Sequence, residues 1–316
     1  MDTPYSPPAQ PPIYITNPTI PPTPKPTHLI PLPLILLIPP TLLFLLHAIR
    51  KDYRAFLALG PGGTPSTPTG YLRICILRLV ALRNPFSPPS IPKTLSPKTG
   101  YFDPCPPAIP SSTAPSAPAT QSKNTDKDTN NHEGVKHPNR NKNHLPYRLG
   151  PPPLVTGLAP QRQLTQRSTA QIYTHLTHKI EELVLANPQK YILGTSCFEK
   201  HSTGIFASSC TTTTPSTPSV EEKHRRTTCN GEICHSHPID GSLHLTLHPA
   251  DVRVLIERGW GQRHPLAWEE TARRWLCGTR FVPAGFVMVY APRDEDEVRV
   301  VMEVVRAAGW WVSGES

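Results

Sequence analysis

The sequence is poor in charged and aromatic residues and in uninterrupted stretches from which helices and strands can be built. Charged residues make up 17% of its 316 residues and aromatic residues 7%. Proline is abundant instead, with 42 residues, or about 13% where roughly 5% is usual. Because proline lacks a backbone donor and interrupts helix interiors and central strands, the sequence excludes one globular domain over the whole chain.

Several motifs that mark secreted proteins or known enzyme classes are absent. The seven cysteines form no Cys-x-x-Cys pair and have no regular spacing, which argues against a disulfide framework. The chain also has no acceptor for N-linked glycosylation, and both absences indicate a reducing compartment. A nucleophile elbow, a dinucleotide-binding fingerprint and a helical His-Glu-x-x-His are missing as well, so the corresponding enzyme classes have no signature in this chain.

Proline and positive charge are concentrated in the first half of the chain. Residues 1–160 hold 34 of the 42 prolines and the whole net charge of +9, whereas residues 161–316 carry 17 basic and 17 acidic residues. A nucleic-acid-binding protein would concentrate basic residues on its folded part. The neutral, proline-poor half is therefore predicted to hold the folded domain, and nucleic acid is excluded as its partner.

The N-terminal region is predicted to anchor the protein in a membrane. Residues 1–28 form a proline-rich tail, which is expected to be disordered or polyproline II. Residues 29–49 are 21 residues without a formal charge, and this length is enough to cross a bilayer as a helix. Basic residues follow directly, so the positive-inside rule predicts a single-pass membrane protein whose folded domain faces the cytosol.

Three further segments are predicted to lie outside the regular part of the domain. Residues 50–83 are interpreted as a membrane-proximal helical segment at the membrane surface, because their arginines do not share one helix face. Residues 84–145 are rich first in Pro, Ser and Thr and then in Lys, Asn and Asp, which predicts a disordered linker. A similar patch at about 207–228 predicts a disordered insert.

Residues 146–316 are predicted to form an α+β domain. Helices are expected after Ser168, from Pro249 to Gly259, and from Asp294 to Gly309, because apolar residues recur there at helical spacing. Strand-like stretches lie between them at 191–194, 204–206, 232–237, 242–248 and 286–290. Such runs of strands with helices interposed predict an antiparallel sheet with helices packed on one face.

Histidines are concentrated on two of these strands. His235 and His237 share one face of the first strand, and His244, Thr246 and His248 share one face of the second, because side chains alternate along a strand. The sequence between the two strands is typical of a hairpin turn. We therefore expect the two polar faces to meet.

Three interpretations of this group stay open. It can be an exposed polar face of the sheet. It can be a metal site, whose candidate ligands are Cys234, His235, His237 and His244. It can also be an acid/base site, in which histidines titrate near neutrality and Arg263, beside His264, supplies a cation for a developing oxyanion. Glu232 is expected to point away from His235 unless a β-bulge intervenes.

Seven blocks of residues follow one another in an informative order. They are Arg50–Leu57 with Gly60-Pro61, Gln161–Gln166, Thr195–His201, Glu232–His237, Leu243–Leu245, Gly259–Ala267 and Tyr290–Glu295. In these blocks the sequence resembles the fungal luciferase family, which oxidises the styryl-pyrone 3-hydroxyhispidin, and the wider group of fungal luciferase-domain proteins. The resemblance covers about 50–83 and 146–309, and the block Gly259–Ala267 is the most specific.

The resemblance implies a membrane-anchored oxygenase that uses O2 and needs no cofactor. A base would take a proton from a pyrone-like or phenolic small molecule, and the anion would react with O2 to give a peroxide. Such chemistry needs a general base, a cation beside the anion and a dry pocket. The candidates at matching positions are His235, His237, His244, Arg263 and His264, with Glu199 and Glu232 as orienting groups.

Two other functions stay open from the sequence. The protein can be a metal-binding enzyme, with zinc as the ion, or a non-catalytic membrane-tethered binding protein. The linker at 84–145, the insert at 207–228 and the longer loop at 268–280 depart from the light-emitting members of the family. Because a shared domain is weak evidence for a shared substrate, the resemblance does not predict light emission.

Overall fold

The computed structural model of the protein describes residues 32–102, 144–208, 228–268 and 282–314. The predicted tail at 1–28, residues 103–143 of the predicted linker and almost all of the predicted insert lie outside the described residues. The chain divides into two compact units, Met1–Arg50 and Lys51–Ser316. All strands among the described residues belong to the second unit.

Helix α1 (Leu32–Ala58) runs through most of the stretch that the sequence predicts as a membrane anchor. It contains Pro39 and Pro40, and its last third carries charged side chains from Arg50 onward. Among the helices of the described residues, none is both long enough and apolar enough to cross a membrane. The predicted transmembrane helix at 29–49 is therefore not supported.

The second unit is built on one six-stranded antiparallel sheet. In the described residues, the strands are β1 (Val155–Gly157), β2 (Gln161–Gln163), β3 (Tyr191–Thr195), β4 (Thr203–Ala207), β5 (Glu232–Ser236), β6 (Leu243–Thr246), β7 (Gly261–Arg263) and β8 (Phe286–Val289). The first two strands form a separate antiparallel hairpin. The other six follow the order β3-β4-β5-β6-β8-β7, and every neighbouring pair is antiparallel. The predicted α+β class with an antiparallel sheet is confirmed.

Helices cover one face of the sheet with an apolar core. The helices after α1 are α2 (Pro68–Val80), α3 (Ala170–Ala186), α4 (Pro249–Glu257) and α5 (Glu295–Ser313). Leu243 and Leu245 of β6 and Val287 of β8 belong to one buried cluster with Leu176 of α3 and Val301 of α5. Apolar residues recur every second position on these strands and about every 3.6 positions on these helices. The apolar face of the sheet therefore packs against the apolar faces of the helices.

The ends of two helices differ from the sequence prediction. Thr169, and not Ser168, caps α3, because its hydroxyl accepts a hydrogen bond from the Ile172 amide. Helix α5 does not end at Gly309 but continues to Ser313, and Gly314 ends it in the left-handed conformation at φ 82°, which glycine adopts without strain.

The segment at 50–83 covers the second face of the sheet. Phe56 at the end of α1 and Ile74 and Leu77 of α2 are buried in one cluster with Leu158 and Phe286. The prediction that this segment lies at the membrane surface missed its packing against the sheet. Its arginines do not share one helix face, but its buried apolar residues do. Helices lie on both faces of the sheet, and not on one only.

The first part of the predicted linker is also folded onto the domain. Leu95 and Phe102 are buried in the core under the helices, and the Tyr101 and Phe102 amides each donate a hydrogen bond of 2.9 Å to the Asp251 carboxylate. The disorder predicted for 84–145 is thus wrong for 84–102. Composition is a poor predictor of disorder in a polar stretch when a few isolated apolar residues pack into the core of a neighbouring domain.

Candidate functional site

Among the described residues, four buried histidines meet on the face of the sheet opposite α3 and α5. They are His235 on β5, His237 directly after it, His244 on β6 and His264 directly after β7, and none is more than 5% exposed. The register pairs His235 with His244. The ring centroids of neighbours lie 4.6–5.3 Å apart. The two polar strand faces therefore meet as predicted, and the interpretation as an exposed polar face is wrong.

Glu232 orients His235 through a β-bulge. The register of β4 against β5 shifts, so Glu232 comes to the same face as His235, and its Oε1 lies 2.6 Å from His235 Nδ1. The same carboxylate accepts hydrogen bonds of 2.7 Å from Ser196 Oγ and from the Cys197 amide. Because a carboxylate accepts from Nδ1–H, the lone pair of His235 is on Nε2.

A second carboxylate orients His237 through a hydroxyl. Nδ1 of His237 lies 2.9 Å from Ser242 Oγ, and this hydroxyl donates to Asp240 Oδ1 at 2.7 Å. Since the single hydroxyl proton goes to Asp240, Ser242 accepts from His237 Nδ1–H, and the lone pair is again on Nε2. Within the described residues, Nε2 of His235 and Nε2 of His237 are buried without a hydrogen-bond partner.

His244 and His264 make different contacts. Nε2 of His244 donates to Gln161 Oε1 at 3.0 Å. Nε2 of His264 donates to the Leu158 carbonyl at 2.9 Å, and its Nδ1 accepts from the Leu266 amide at 3.1 Å. Both ring nitrogens of His264 are therefore engaged by the backbone, and its place among the candidate catalytic residues stays a prediction.

Burial lowers the pKa of three of the four histidines. Burial, followed by electrostatic repulsion from His235, Arg162 and His264, lowers the pKa of His237 well below its ordinary value. Burial and the neighbouring histidines do the same to the pKa of His244. Burial also lowers the pKa of His264 to about 4. Neutral imidazoles are the form that accepts a proton or binds a metal ion.

Arg162 places a cation beside the cluster. Arg263 donates through its guanidinium to the carbonyls of Ser87 and Ala267, and its predicted role toward an oxyanion stays a prediction. Arg162 is 2% exposed and forms an ion pair with Glu199, whose Oε2 lies 3.9 Å from His237 Nε2. The predicted orienting group Glu199 thus lies at the cluster, with a partner that the sequence analysis did not select.

Two residues from the sequence prediction lie elsewhere. Cys234 is paired with Leu245 in the register and is buried in the core under the helices, where burial raises the pKa of its thiol. It is therefore removed from the candidate metal ligands. His248 packs its ring against Trp311, with centroids 4.7 Å apart, and its Nδ1 accepts from the Ala250 amide at the start of α4.

A disulfide closes the loop that supports Glu232. Cys197 and Cys229 are bonded across 32 residues of sequence, and the Cys197 amide is one of the donors to the Glu232 carboxylate. The absence of disulfides predicted from cysteine spacing is wrong for this pair. Spacing could not indicate the bond, because Cys229 comes next to Cys197 only through the pairing of β4 with β5.

A cavity of about 260 Å³ opens beside the cluster. His235 and His244 form part of its wall. Phe198 and Phe286, whose ring centroids are 4.9 Å apart, form an apolar part, and α2 contributes Leu77. The volume lies just below the usual range of about 300–1,000 Å³ for small-molecule sites. The arrangement can hold a flat small molecule against the imidazoles of His235 and His244.

The supporting residues had weak signals in the sequence. Gln161 and Arg162 belong to the block Gln161–Gln166, and Asp240 and Ser242 belong to the hairpin turn between the two histidine strands. Each is hidden from sequence reasoning because its partner is distant in the chain or because turns commonly contain Asp and Ser for local reasons.

Known proteins match most of the chain. A family model described as Luciferase domain matches residues 230–308. The luciferase of Neonothopanus nambi is 30% identical over 264 residues, which cover 82% of this chain and 79% of that protein. The luciferases of Armillaria mellea and Armillaria gallica are 28% and 29% identical over 273 residues, covering 82% of this chain and 80% of each. No solved structure matches the chain.

Proposed function

Because the chain belongs to the fungal luciferase-domain family, we propose that it is an enzyme that oxidises a small enolisable molecule with O2. The observation that carries the proposal is His235. It is held by Glu232 at 2.6 Å, has a buried lone pair on Nε2 and lines the cavity. A directed lone pair at the wall of a cavity is what abstraction of an enol proton requires.

The reaction needs few groups beyond the cluster. Loss of the enol proton leaves an electron-rich carbanion-like anion, which transfers electrons to O2 as a carbon–oxygen bond forms and a peroxide anion results. The lone pairs of His235 and His237 are the groups that can take up this proton or a cation. Glu232 and the Asp240–Ser242 pair hold the two rings in the required tautomer, and burial of the site keeps water from competing.

The substrate is proposed to be a pyrone-like or phenolic compound. Phe198 and Phe286 offer aromatic surface to a flat ring, and aromatic rings pack well in offset or tilted arrangements. The wall of the cavity therefore has two chemically different parts, one of aromatic side chains and one of imidazoles. That the reaction needs no organic cofactor stays a prediction from the family resemblance.

The proposal is tested with an oxygen electrode and a photon counter on one sample. Purified full-length protein is given a panel of enolisable pyrones and catechols, and wild type is compared with His235→Asn. The amide of asparagine can replace the Nδ1–H donor to Glu232 but lacks Nε2. We expect kcat/KM to fall by about 10²- to 10⁴-fold without loss of folding.

The matched control for this experiment is His178→Gln, because His178 is 65% exposed on α3. It should keep the wild-type rate. No O2 consumption by wild type over the whole panel would contradict the proposal. Binding of a pyrone without O2 consumption would favour a non-catalytic binding protein instead.

Attachment to a membrane with a cytosolic domain is a separate proposal that rests mainly on the uncharged stretch 29–49. Helix α2 adds a row of exposed apolar side chains, Leu72, Ile76 and Leu79, that suits a lipid surface. The disulfide points the other way for orientation, since such bonds are rare in the cytosol. Carbonate extraction of membranes tests attachment, and protease protection of intact microsomes tests the side on which the domain lies.

A further inference from the structure

Three histidines of the cluster are close enough to share one metal ion. One ring nitrogen of each of His235, His237 and His244 lies within 4.8 Å of the others. The centre of a triangle of this size is about 2.8 Å from each corner, so shifts of less than about 1 Å would bring the nitrogens to the usual metal distance near 2.1 Å.

The hydrogen bonds around the histidines are those of metal ligands. A ligating histidine commonly donates its other ring N–H to a carboxylate or another acceptor, which fixes the tautomer. His235 does so to Glu232, His237 does so through Ser242 to Asp240, and His244 does so to the Gln161 amide oxygen. The Nε2 atoms of His235 and His237 have no hydrogen-bond partner within the described residues, although burying such an atom without a hydrogen bond costs free energy.

The formal charges around the cluster also favour a divalent cation. Three carboxylates surround the three histidines, Glu199, Glu232 and Asp240, and each is at most 5% exposed. One buried guanidinium, that of Arg162, pairs with Glu199. This group of four therefore has a formal charge of −2. Buried charges are costly unless they are paired or bind a metal, and a divalent ion would balance the excess.

From these observations we infer that His235, His237 and His244 bind one divalent first-row transition-metal ion, with its open side toward the cavity. Three imidazoles suit zinc, iron, nickel or copper, and a catalytic site keeps a position free of protein ligands. The inference rests on the proposed function and adds a cofactor to it: with the ion bound, the Nε2 lone pairs of His235 and His237 hold the ion and do not take up the enol proton. The ion would supply positive charge beside the substrate anion.

The experiment measures Co²⁺ binding without any substrate. Full-length protein is stripped with a chelator and titrated with Co²⁺, and the visible absorption of the bound ion and the metal content are recorded. We expect saturation at one ion per chain for wild type. His237→Asn keeps the donor to Ser242 but removes the ligating nitrogen, and should lose the absorption bands while its circular dichroism stays that of wild type.

Two further variants separate ligation from folding. Glu232→Gln keeps all three ligands but weakens the orientation of His235, and should raise the Kd for Co²⁺ by about 10- to 100-fold. His178→Gln, exposed on α3, should titrate as wild type. The inference is overturned if wild type binds no Co²⁺ at saturation, or if His235→Asn and His237→Asn bind it as tightly as wild type does.

The two proposals fail in different measurements. Co²⁺ binding with no oxidation of any pyrone would leave the metal site standing and remove the proposed reaction. Full-rate oxidation by metal-stripped protein in the presence of chelator would leave the reaction standing and overturn the role of the ion in it.

Discussion

Leu245 and His244 are adjacent residues of β6, and their side chains lie on opposite faces of the sheet. Leu245 packs in an apolar core under α3 and α5, where area removed from water is the main stabilising term. His244 lies among histidines, three carboxylates and a guanidinium within hydrogen-bonding or ion-pair networks. Burial of apolar side chains dominates on one face of the sheet, and on the other it is combined with hydrogen bonds between distant segments.

The difference between the two faces of the sheet shows which of them can hold a functional site. A buried polar group is tolerated only if partners satisfy it, so a polar face closed off from water constrains many positions at once. The partners of the histidine face come from β1–β2, the hairpin turn and the loop at 196–199. Such a face costs stability relative to an apolar one and leaves a few lone pairs directed into a cavity.

The largest effect on this comparison should come from Arg162→Met. The substitution leaves Glu199 buried without its ion-pair partner, and breaking a buried pair from one side costs about 3–5 kcal/mol. Urea unfolding measures the loss. Adding Glu199→Gln to Arg162→Met should recover most of it, because the unpaired charge is then gone. A loss below about 1 kcal/mol in the single variant would mean that the polar face does not depend on this pair.

On the apolar face, Leu245→Ala should destabilise the protein by about 2–5 kcal/mol, because it opens a cavity in a fully buried core. Leu245→Ala should lower stability without affecting metal binding, unlike substitution of a histidine in the cluster. At a temperature where the variant is folded, we expect unchanged Co²⁺ affinity. Measured together, urea midpoints and Co²⁺ titrations test this separation, which fails if Leu245→Ala lowers metal affinity as much as His237→Asn does.

The disulfide belongs to the polar face, and removing it should matter there first. Cys197→Ser opens a loop of 32 residues, which should reduce the free energy of unfolding by about 2–4 kcal/mol. Dithiothreitol should have the same effect on wild type. Cys75→Ser, at a free cysteine of α2, should keep wild-type stability and its sensitivity to reduction. Equal stability of Cys197→Ser and wild type would show that the bond does not constrain this loop.

The smallest effect is a pH dependence on the helix side of the domain. Burial raises the pKa of Asp251 to about 6, above its unfolded value, so the native state binds a proton in the window between pH 4 and 6 where the unfolded chain does not. Stability from this group therefore rises as pH falls, by about 1 kcal/mol between pH 7 and 5. Unfolding of wild type and Asp251→Asn at several pH values measures the difference in slope, and identical slopes would contradict the prediction.

Much of the fold could be predicted from periodicity. The strands around Tyr191, Glu232, Leu243 and Phe286 and the helices that begin at Pro249 and after Asp294 follow from alternation, apolar stripes and caps. The meeting of His235 with His244 follows from the hairpin between them. These features are local, because each depends on residues that are near in sequence and on rules that act within one element.

The partners in the site could not be predicted, since each comes from a distant part of the chain. Gln161 reaches His244 across 83 residues, and Arg162 reaches Glu199 across 37. Arg263 was the natural candidate because it adjoins His264 in sequence, yet it points to Ser87. The alternation of side chains along a strand cannot determine which arginine faces the histidine cluster, because that depends on which loop covers the cluster.

The sequence by itself determined the antiparallel hairpin and the alternation that separates Leu245 from His244, because these follow from the turn residues and from the period of two. Only the tertiary structure decided that a bulge turns Glu232 toward His235, that Cys229 bonds Cys197 and that α2 covers the histidine face. These three features have the same physical reason. Each depends on strand register and on side-chain packing between segments that are far apart in the chain.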